Sequence, residues 1–250
     1  MASTYLSRTF SASPTSDKIM TFSAWIKRSG LGEQHIFGNR ATDSYRSHIY
    51  FMSSGNGDRL CAFSKKTDGS NNTLYDLIPK RKYRDLNGYY HIVVAFDTTQ
   101  ATASNRVKIY VNGVQETEFD LATYPDQDSV MQLNKDLAHE IGSYDGSNYY
   151  FDGYMSHIHF IDGTQYAASD FGEADSNGVW KIKTSPSVTY GNHGFFILKD
   201  GNSVTDQSGN SNNWTVGAGT LTDDKDNPSN VFTTFNSLHN YYEGGTYAYG

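Results

Sequence analysis

The sequence predicts an all-β fold: an antiparallel β-sandwich with very little helix. Three observations carry that prediction. Short runs of alternating apolar and polar residues recur along the chain, the period-2 signature of half-buried strands. Twenty-three glycines against five prolines punctuate those runs as tight turns rather than as a disordered linker. No stretch shows the 3.6-residue apolar period of an amphipathic helix. Roughly ten to thirteen short strands separated by turns pack as a sandwich or barrel.

Each element follows from its own residues. In "IMTFSAWIK" (residues 19–27), Met20, Phe22, Ala24 and Ile26 alternate against Thr21, Ser23 and Lys27, with Trp25 the exception on the polar side. "HIYFMS" (48–53) and "RLCAF" (59–63) flank the glycine-rich "SGNGD" and read as a hairpin. "YYHIVVAFD" (89–97) is apolar on both faces, which predicts a central strand covered on each side. "RVKIYVNGVQETEFD" (106–120) is the clearest hairpin. Val107, Ile109 and Val111 face one way, Arg106, Lys108 and Tyr110 the other, and Asn112-Gly113 supplies the positive φ angles of a two-residue turn.

In "YYFDGYMSHIHFIDG" (149–163), alternation beyond Gly153 places Met155, His157, His159 and Ile161 on one strand face. Tyr154, Ser156, Ile158 and Phe160 then share the other, and Asp162-Gly163 ends the strand. The best helical candidate is one short turn in "AASDFGE" (167–173), capped by Ser169 or Asp170. From Asp223 the composition turns polar and loses its alternation. Residues 1–222 are therefore expected to form one domain and 223–250 a linker entering a further β segment, with the natural chain continuing beyond Gly250.

Composition narrows the function classes. A chain of 250 residues can bury roughly 70–75% of its unfolded surface. Its apolar content is only 37%, so 19 Tyr and 14 Phe must supply much of the core area, in thin sheets whose aromatic edges reach water. The net charge is −7, and "PKRKYR" (79–84) is a poor nucleic-acid footprint, better read as a solvated turn meeting an acidic neighbour. The single cysteine, Cys61, forbids an intrachain disulfide and reads as a small buried hydrophobe without activation. Cytoplasmic folding is natural on that basis. No apolar run supports a membrane span or a signal peptide, so the sequons at Asn71 and Asn213 carry little meaning.

Three segments in order resemble the concanavalin A-like jelly-roll superfamily, in its laminin-G-like and pentraxin-like branch. They are "MTFSAWIKRSG", "GYYHIVVAFD" followed by "RVKIYVNGV", and "IGSYDGSNYYFDGYMSHIHFIDG". The resemblance covers roughly residues 3 to 216. One departure stands out: the "D-x-S-G-N-x-N-x-W" turn usually opens such domains, yet Asp206 to Trp214 lies near the end. Either the strand order is permuted or this strand completes the sheet from the other side.

A narrower resemblance, in "YLSRTFSASPTSDKIMTFSAWIKRSG", "FIDGTQYAASDFGEADSNGVWKIK" and "VTDQSGNSNNWTV", is to structural proteins of tailed bacteriophages. It implies a non-enzymatic virion module of a head or tail fibre or a capsid decoration protein, synthesised in the host cytoplasm. The implied partners are other virion proteins and further copies of this chain, a trimer being favoured, with no nucleic acid and no membrane insertion. The alternative is a lectin module recognising host surface glycan, with or without calcium.

The chemistry is weighed within that frame, and no catalytic, cofactor or metal residue is assigned. His157, His159 and His91 are candidate zinc ligands, but no cysteine or placed carboxylate completes a set, so they read as sheet-face side chains. Glu116, Glu118 and Asp120 fall at i, i+2 and i+4 on a strand, close to the carboxyl spacing of a retaining glycosidase. The superfamily's glucanases, however, place apolar residues between their acids, whereas "ETEFD" has Thr117 there, and a charged, solvated strand face suffices. Asp145, Asp152, Asp206 and Asn210 could offer calcium hard oxygen ligands from turns, although Asp and Asn are ordinary turn residues. "SYDGSNYYF" and "HNYYEGGTYAY" supply tyrosines for sugar contact. Tyr149 and Tyr150 would otherwise straddle a strand, one packed and one at a subunit contact.

Overall fold

The computed structural model describes residues 3–66, 72–199, 201, 203–225, 228 and 229. The expected further β segment after residue 223 lies almost wholly outside the described residues, as does the tyrosine-rich stretch at 239–249. The strands in chain order are β1 (Tyr5–Thr9), β2 (Ile19–Arg28), β3 (Gln34–Thr42), β4 (Tyr45–Phe51), β5 (Leu60–Lys66) and β6 (Asn72–Pro79). They continue as β7 (Tyr90–Asp97), β8 (Val107–Val111), β9 (Val114–Gln115), β10 (Phe119–Thr123) and β11 (Ala138–Ile141). The last are β12 (Gly153–Asp162), β13 (Gly172–Ala174), β14 (Trp180–Ile182), β15 (Phe195–Ile197) and β16 (Thr215–Ala218).

Two antiparallel sheets face each other. The larger runs β10-β6-β5-β4-β3-β11-β1-β16 and the smaller β15-β12-β2-β7-β8-β9. Their inner faces supply one core, in which Phe22 of the smaller sheet stacks on Phe37 of the larger at 5.0 Å and 7°. Met20, Phe22, Ala24 and Ile26 all point into it, as their alternation predicts. Asn112 and Gly113 take φ of 49° and 82° at the turn between β8 and β9. Glycine is required there twice over, because a Cβ on Gly113 would stand 2.5 Å from the Trp180 ring.

The smaller sheet is covered on its outer side too. Residues 164–190, which include the β13–β14 hairpin, form a strap that packs Tyr166, Ala168, Phe171 and Trp180 onto Val93 and Ile161. This explains why β7 is apolar on both faces and why a tryptophan stands among the polar residues of β2. Trp25 is 5% exposed and stacks on His91 at 4.8 Å beneath the strap. The helical turn expected near residue 170 is a 3₁₀ turn, Ala168–Asp170, with the Asp170 carboxylate accepting from the Ala167 N–H at 2.8 Å. A second short turn, Ala103–Arg106, has no apolar periodicity and escapes sequence reading. The Arg106 guanidinium closes it by donating to three carbonyls, of Gln100, Ala101 and Pro125.

Three expectations are corrected. The alternation read through residues 154–161 breaks at a β-bulge: Ser156 pairs with Trp25, but His159 rather than Ile158 pairs with Ser23. His157 absorbs the extra residue at φ 48°. Met155 consequently joins Ile158 and Phe160 on the core side, while Ser156, His159 and Ile161 face the strap. Second, "ETEFD" is no single strand. β9 ends in the smaller sheet at Gln115 and β10 begins in the larger at Phe119, so Glu116 and Glu118 sit where the chain crosses between sheets. Third, Tyr149 and Tyr150 do not straddle a strand, because residues 143–152 are a loop. The open question at Asp206–Trp214 is answered by β16, which leaves that turn and completes the larger sheet alongside β1.

Candidate functional site

The histidines singled out in the sequence are buried and held by neighbouring side chains. His91, buried, accepts the Trp180 indole N–H on Nδ1 at 3.0 Å, which leaves its Nε2–H to donate to Ser23 Oγ at 2.9 Å. The ring cannot then take a proton from Ser23, so this serine–histidine pair is no nucleophile. His159 contacts the Tyr190 hydroxyl through Nδ1 at 2.9 Å and stacks on Phe196 at 3.9 Å. Its pKa is driven well down by burial. His157 contacts the Ser156 hydroxyl at 2.8 Å inside the bulge. Among the described residues, no group of three or more His, Cys, Asp or Glu side chains is placed to hold a metal ion.

The acids of "ETEFD" are each neutralised by a different cation. Arg81 Nε stands 2.6 Å from Glu116, Lys80 Nζ 3.1 Å from Glu118 and Arg59 2.6 Å from Asp120. "PKRKYR" thus meets the acidic neighbour its charge anticipates. Of the oxygens considered for calcium, Asp206 is saturated by protein donors. Its carboxylate accepts the N–H groups of Phe196, Ser208 and Asn212 and the Ser208 hydroxyl, at 2.7 to 2.9 Å. Asn210 spends its amide on the Gly191 and Gly194 carbonyls. Asp145 turns inward to cap its own loop, accepting from the N–H groups of Ser147 and Asn148. Asp152 stands apart from these, lining a cleft of about 300 Å³ with Tyr5, Tyr89 and Tyr154 at one end of the sandwich. The structure does not bring the four residues together as one ligand set.

What the structure does assemble is an aromatic face on the outer side of the larger sheet. The loop of residues 143–150 folds back across that face. Its path is fixed by Tyr144 N–H donating to the Asn148 carbonyl at 3.0 Å and by His35 N–H donating to the Tyr149 carbonyl at 3.0 Å. Tyr149 is held at φ 50° and is half exposed. Beneath it Tyr144 lies 4.7 Å from the His48 ring and 5.0 Å from the His35 ring, and His35 stacks on Tyr50 at 4.6 Å. The guanidinium groups of Arg40 and Arg46 reach over Tyr144 at 5.4 and 5.9 Å.

The electrostatics of this face are nearly balanced. Arg40 is paired to Asp43 at 2.9 Å and approaches Asp145 at 3.6 Å, and Arg46 pairs with Asp43 at 3.5 Å. Burial lowers the pKa of His35, against the opposing pull of Glu33, and that of His48, which disfavours their charged forms. Glu140, on β11, is pushed up to about 7, chiefly by burial and further by Asp145, against the opposing pull of Arg40. "SYDGSNYYF" was legible in the sequence as a sugar-contact candidate. His35, His48, Arg40 and Glu140 were not, because they join it only through the pairing of β3, β4 and β11.

Cys61 is buried as expected, but outside the main core and beside Asp76, whose carboxylate it approaches at 3.5 Å. Burial pushes its thiol pKa well up, which makes it unreactive.

A Bacteroides ovatus structure whose name proposes carbohydrate binding is 14% identical, with a TM-score of 0.49, and the match covers 88% of this chain and 57% of that one. The chain therefore spans little more than half the length of that protein. A Ruminococcus gnavus IT-sialidase CBM40 domain is 15% identical with a TM-score of 0.42, over 61% of this chain and 79% of that one. The LG4-5 domains of mouse laminin α1 are 8% identical with a TM-score of 0.41, over 64% of this chain and 39% of that one. No curated protein matches the sequence. The family model described as the concanavalin A-like lectin/glucanases superfamily, of the laminin G type, matches residues 3–169. With two-thirds of its length inside that match and a two-sheet antiparallel sandwich built from it, the chain belongs to the concanavalin A-like lectin/glucanase superfamily.

Proposed function

We propose that this protein is a carbohydrate-binding module that recognises glycan without cleaving it. The observation that carries the reading is the stack on the outer face of the larger sheet: half-exposed Tyr149 over Tyr144, His35 and His48, flanked by paired arginines and carboxylates. A sugar offers an apolar ring face and a rim of hydroxyls, and rigid tyrosines beside charged hydrogen-bonding groups match both. Binding without turnover is supported by the ion pairing of Glu116, Glu118 and Asp120, which stand at the crossing between sheets. A glycan array followed by calorimetry tests the reading. Tyr149→Ala should weaken any bound glycan at least tenfold while leaving the melting temperature nearly unchanged. Failure of the intact protein to bind any arrayed glycan would sink it.

The setting we propose is the surface of a tailed-bacteriophage particle, with the module repeated as a homo-oligomer, a trimer being favoured. Its support is the resemblance of residues 5–30, 160–183 and 204–216 to virion structural proteins. Cryo-electron microscopy of a particle encoding the chain decides between capsid and tail. Its absence from purified particles would end the virion setting without touching glycan binding.

A further inference from the structure

Four Asn-Gly pairs occur in the chain, at residues 56–57, 87–88, 112–113 and 177–178. Such a pair can react with itself. The glycine amide nitrogen closes a succinimide ring on the asparagine Cγ, and glycine has no side chain to obstruct the approach. The reaction needs two free groups: a glycine N–H able to give up its proton, and an asparagine side chain able to swing back onto the backbone. A hydrogen bond on either one holds it out of reach.

Three of the pairs are held. Gly57 N–H donates to the Ser54 carbonyl at 3.0 Å, and Asn56 Nδ2 donates to Ser53 Oγ at 3.1 Å. Gly178 N–H donates to the Asp175 carbonyl at 2.9 Å in the turn between β13 and β14. Asn112 Oδ1 accepts the His91 N–H at 2.7 Å, which pins its side chain to β7. The fourth pair differs. Among the described residues, neither the Gly88 N–H nor the Asn87 side chain makes a hydrogen bond, and Asn87 is exposed. The loop around them is nonetheless tight. Asp85 Oδ1 accepts the Asn87 N–H at 2.8 Å, and the Asp85 N–H donates to the Tyr90 hydroxyl at 3.0 Å. Asp85 Oδ2 lies 3.2 Å from where a Cβ on Gly88 would stand, so a proton acceptor borders this glycine.

We infer that Asn87-Gly88 is a site of spontaneous deamidation, with water as the co-reactant. The Gly88 nitrogen gives up its proton and bonds to Asn87 Cγ. The Cγ–Nδ2 bond breaks, and Nδ2 leaves as ammonia carrying a proton in place of the one Gly88 gave up. Water then opens the succinimide at either carbonyl, to aspartate or to isoaspartate, and nothing is oxidised or reduced. Either product sets a carboxylate close to Asp85 and adds one negative charge to the −7 of the chain. Isoaspartate also inserts one backbone carbon two residues before Tyr89, whose ring lines the cleft that holds Asp152. The inference does not depend on the glycan-binding function proposed above.

The test incubates the full chain at mildly alkaline pH in heavy-oxygen water, so that only product formed in solution carries the label, and maps the peptides by mass spectrometry. The expected result is labelled aspartate and isoaspartate at residue 87, at least fivefold above residues 56, 112 and 177. In guanidinium chloride, which releases the hydrogen bonds at the other three pairs, all four should react within about threefold of one another. Gly88→Ala should slow the reaction at residue 87 at least fivefold. The added Cβ meets only the far end of the Asp85 side chain, so this variant should fold. Equal or faster labelling at another pair in the folded chain overturns the assignment. The same fivefold preference in guanidinium chloride overturns the fold as its cause. Aspartate without isoaspartate, or an unchanged rate in Gly88→Ala, overturns ring closure by the Gly88 nitrogen.

Discussion

The indole N–H of Trp180 donates to Nδ1 of His91 across 3.0 Å, and so ties the strap over the smaller sheet to that sheet's β7 strand. The bond fixes the tautomer of His91, whose Nε2–H must then face Ser23. Burial takes the ring's pKa down to about 3, so the fold holds it neutral. Trp180→Phe keeps the ring stack but leaves a buried acceptor unpaired, and should cost about 1–3 kcal/mol. Chemical denaturation measures it, and a cost below about 0.5 kcal/mol would mean the bond does little to hold the strap.

His91 also predicts acid sensitivity. A histidine depressed in the folded state binds fewer protons there than in the unfolded chain. Its contribution is complete above about 6.5 and is lost as pH falls towards about 3. His91→Gln should flatten the decline of melting temperature across that window.

Glu140 works with the opposite sign. Its folded pKa of about 7 exceeds the ordinary glutamate value of 4.5, so the folded state holds the extra proton and this site's stability is lost as pH rises from about 4.5 to about 7. Glu140→Gln should therefore stabilise the protein at pH 8 by roughly 1–3 kcal/mol and leave it little changed at pH 4.5. Equal effects at the two pH values would remove the carboxyl group's burial as the cause.

Asp206 is expected to be structural. Asp206→Asn turns an acceptor into a donor facing donors, and should cost roughly 2–4 kcal/mol. Because the same donors already saturate the carboxylate, millimolar calcium or EDTA should shift the melting temperature by less than about 1 °C through this residue. A calcium-dependent rise that vanishes in Asp206→Asn would reverse the assignment.

Glu118→Gln separates the glycosidase idea from its charged-surface reading. Both partners of the Glu118–Lys80 pair are more than half exposed, so the substitution should change stability by less than about 1 kcal/mol. Neither the parent nor the variant should release reducing sugar from a glucan; release by the parent that is lost in the variant would restore the enzyme.

By itself the sequence determined the fold class, the inward residues of β2, the doubly covered β7 and the Asn112-Gly113 turn. These follow from alternation and turn chemistry, which are local and need no knowledge of a partner. It also pointed to the tyrosines of 143–150, because aromatic density beside Asp and Gly is local as well. Only the tertiary structure decided the bulge at His157, the sheet crossing inside "ETEFD", the burial of Trp25 and His91 under residues 164–190, and the row His48–Gly38–Glu140. Each of these depends on which strand lies beside which. Gly38 meets a residue ten positions later on one side and one a hundred and two later on the other, and no short window of sequence holds both. Pairing across such distances is fixed by burying both sheets at once, so this row of neighbours exists only in the folded sandwich.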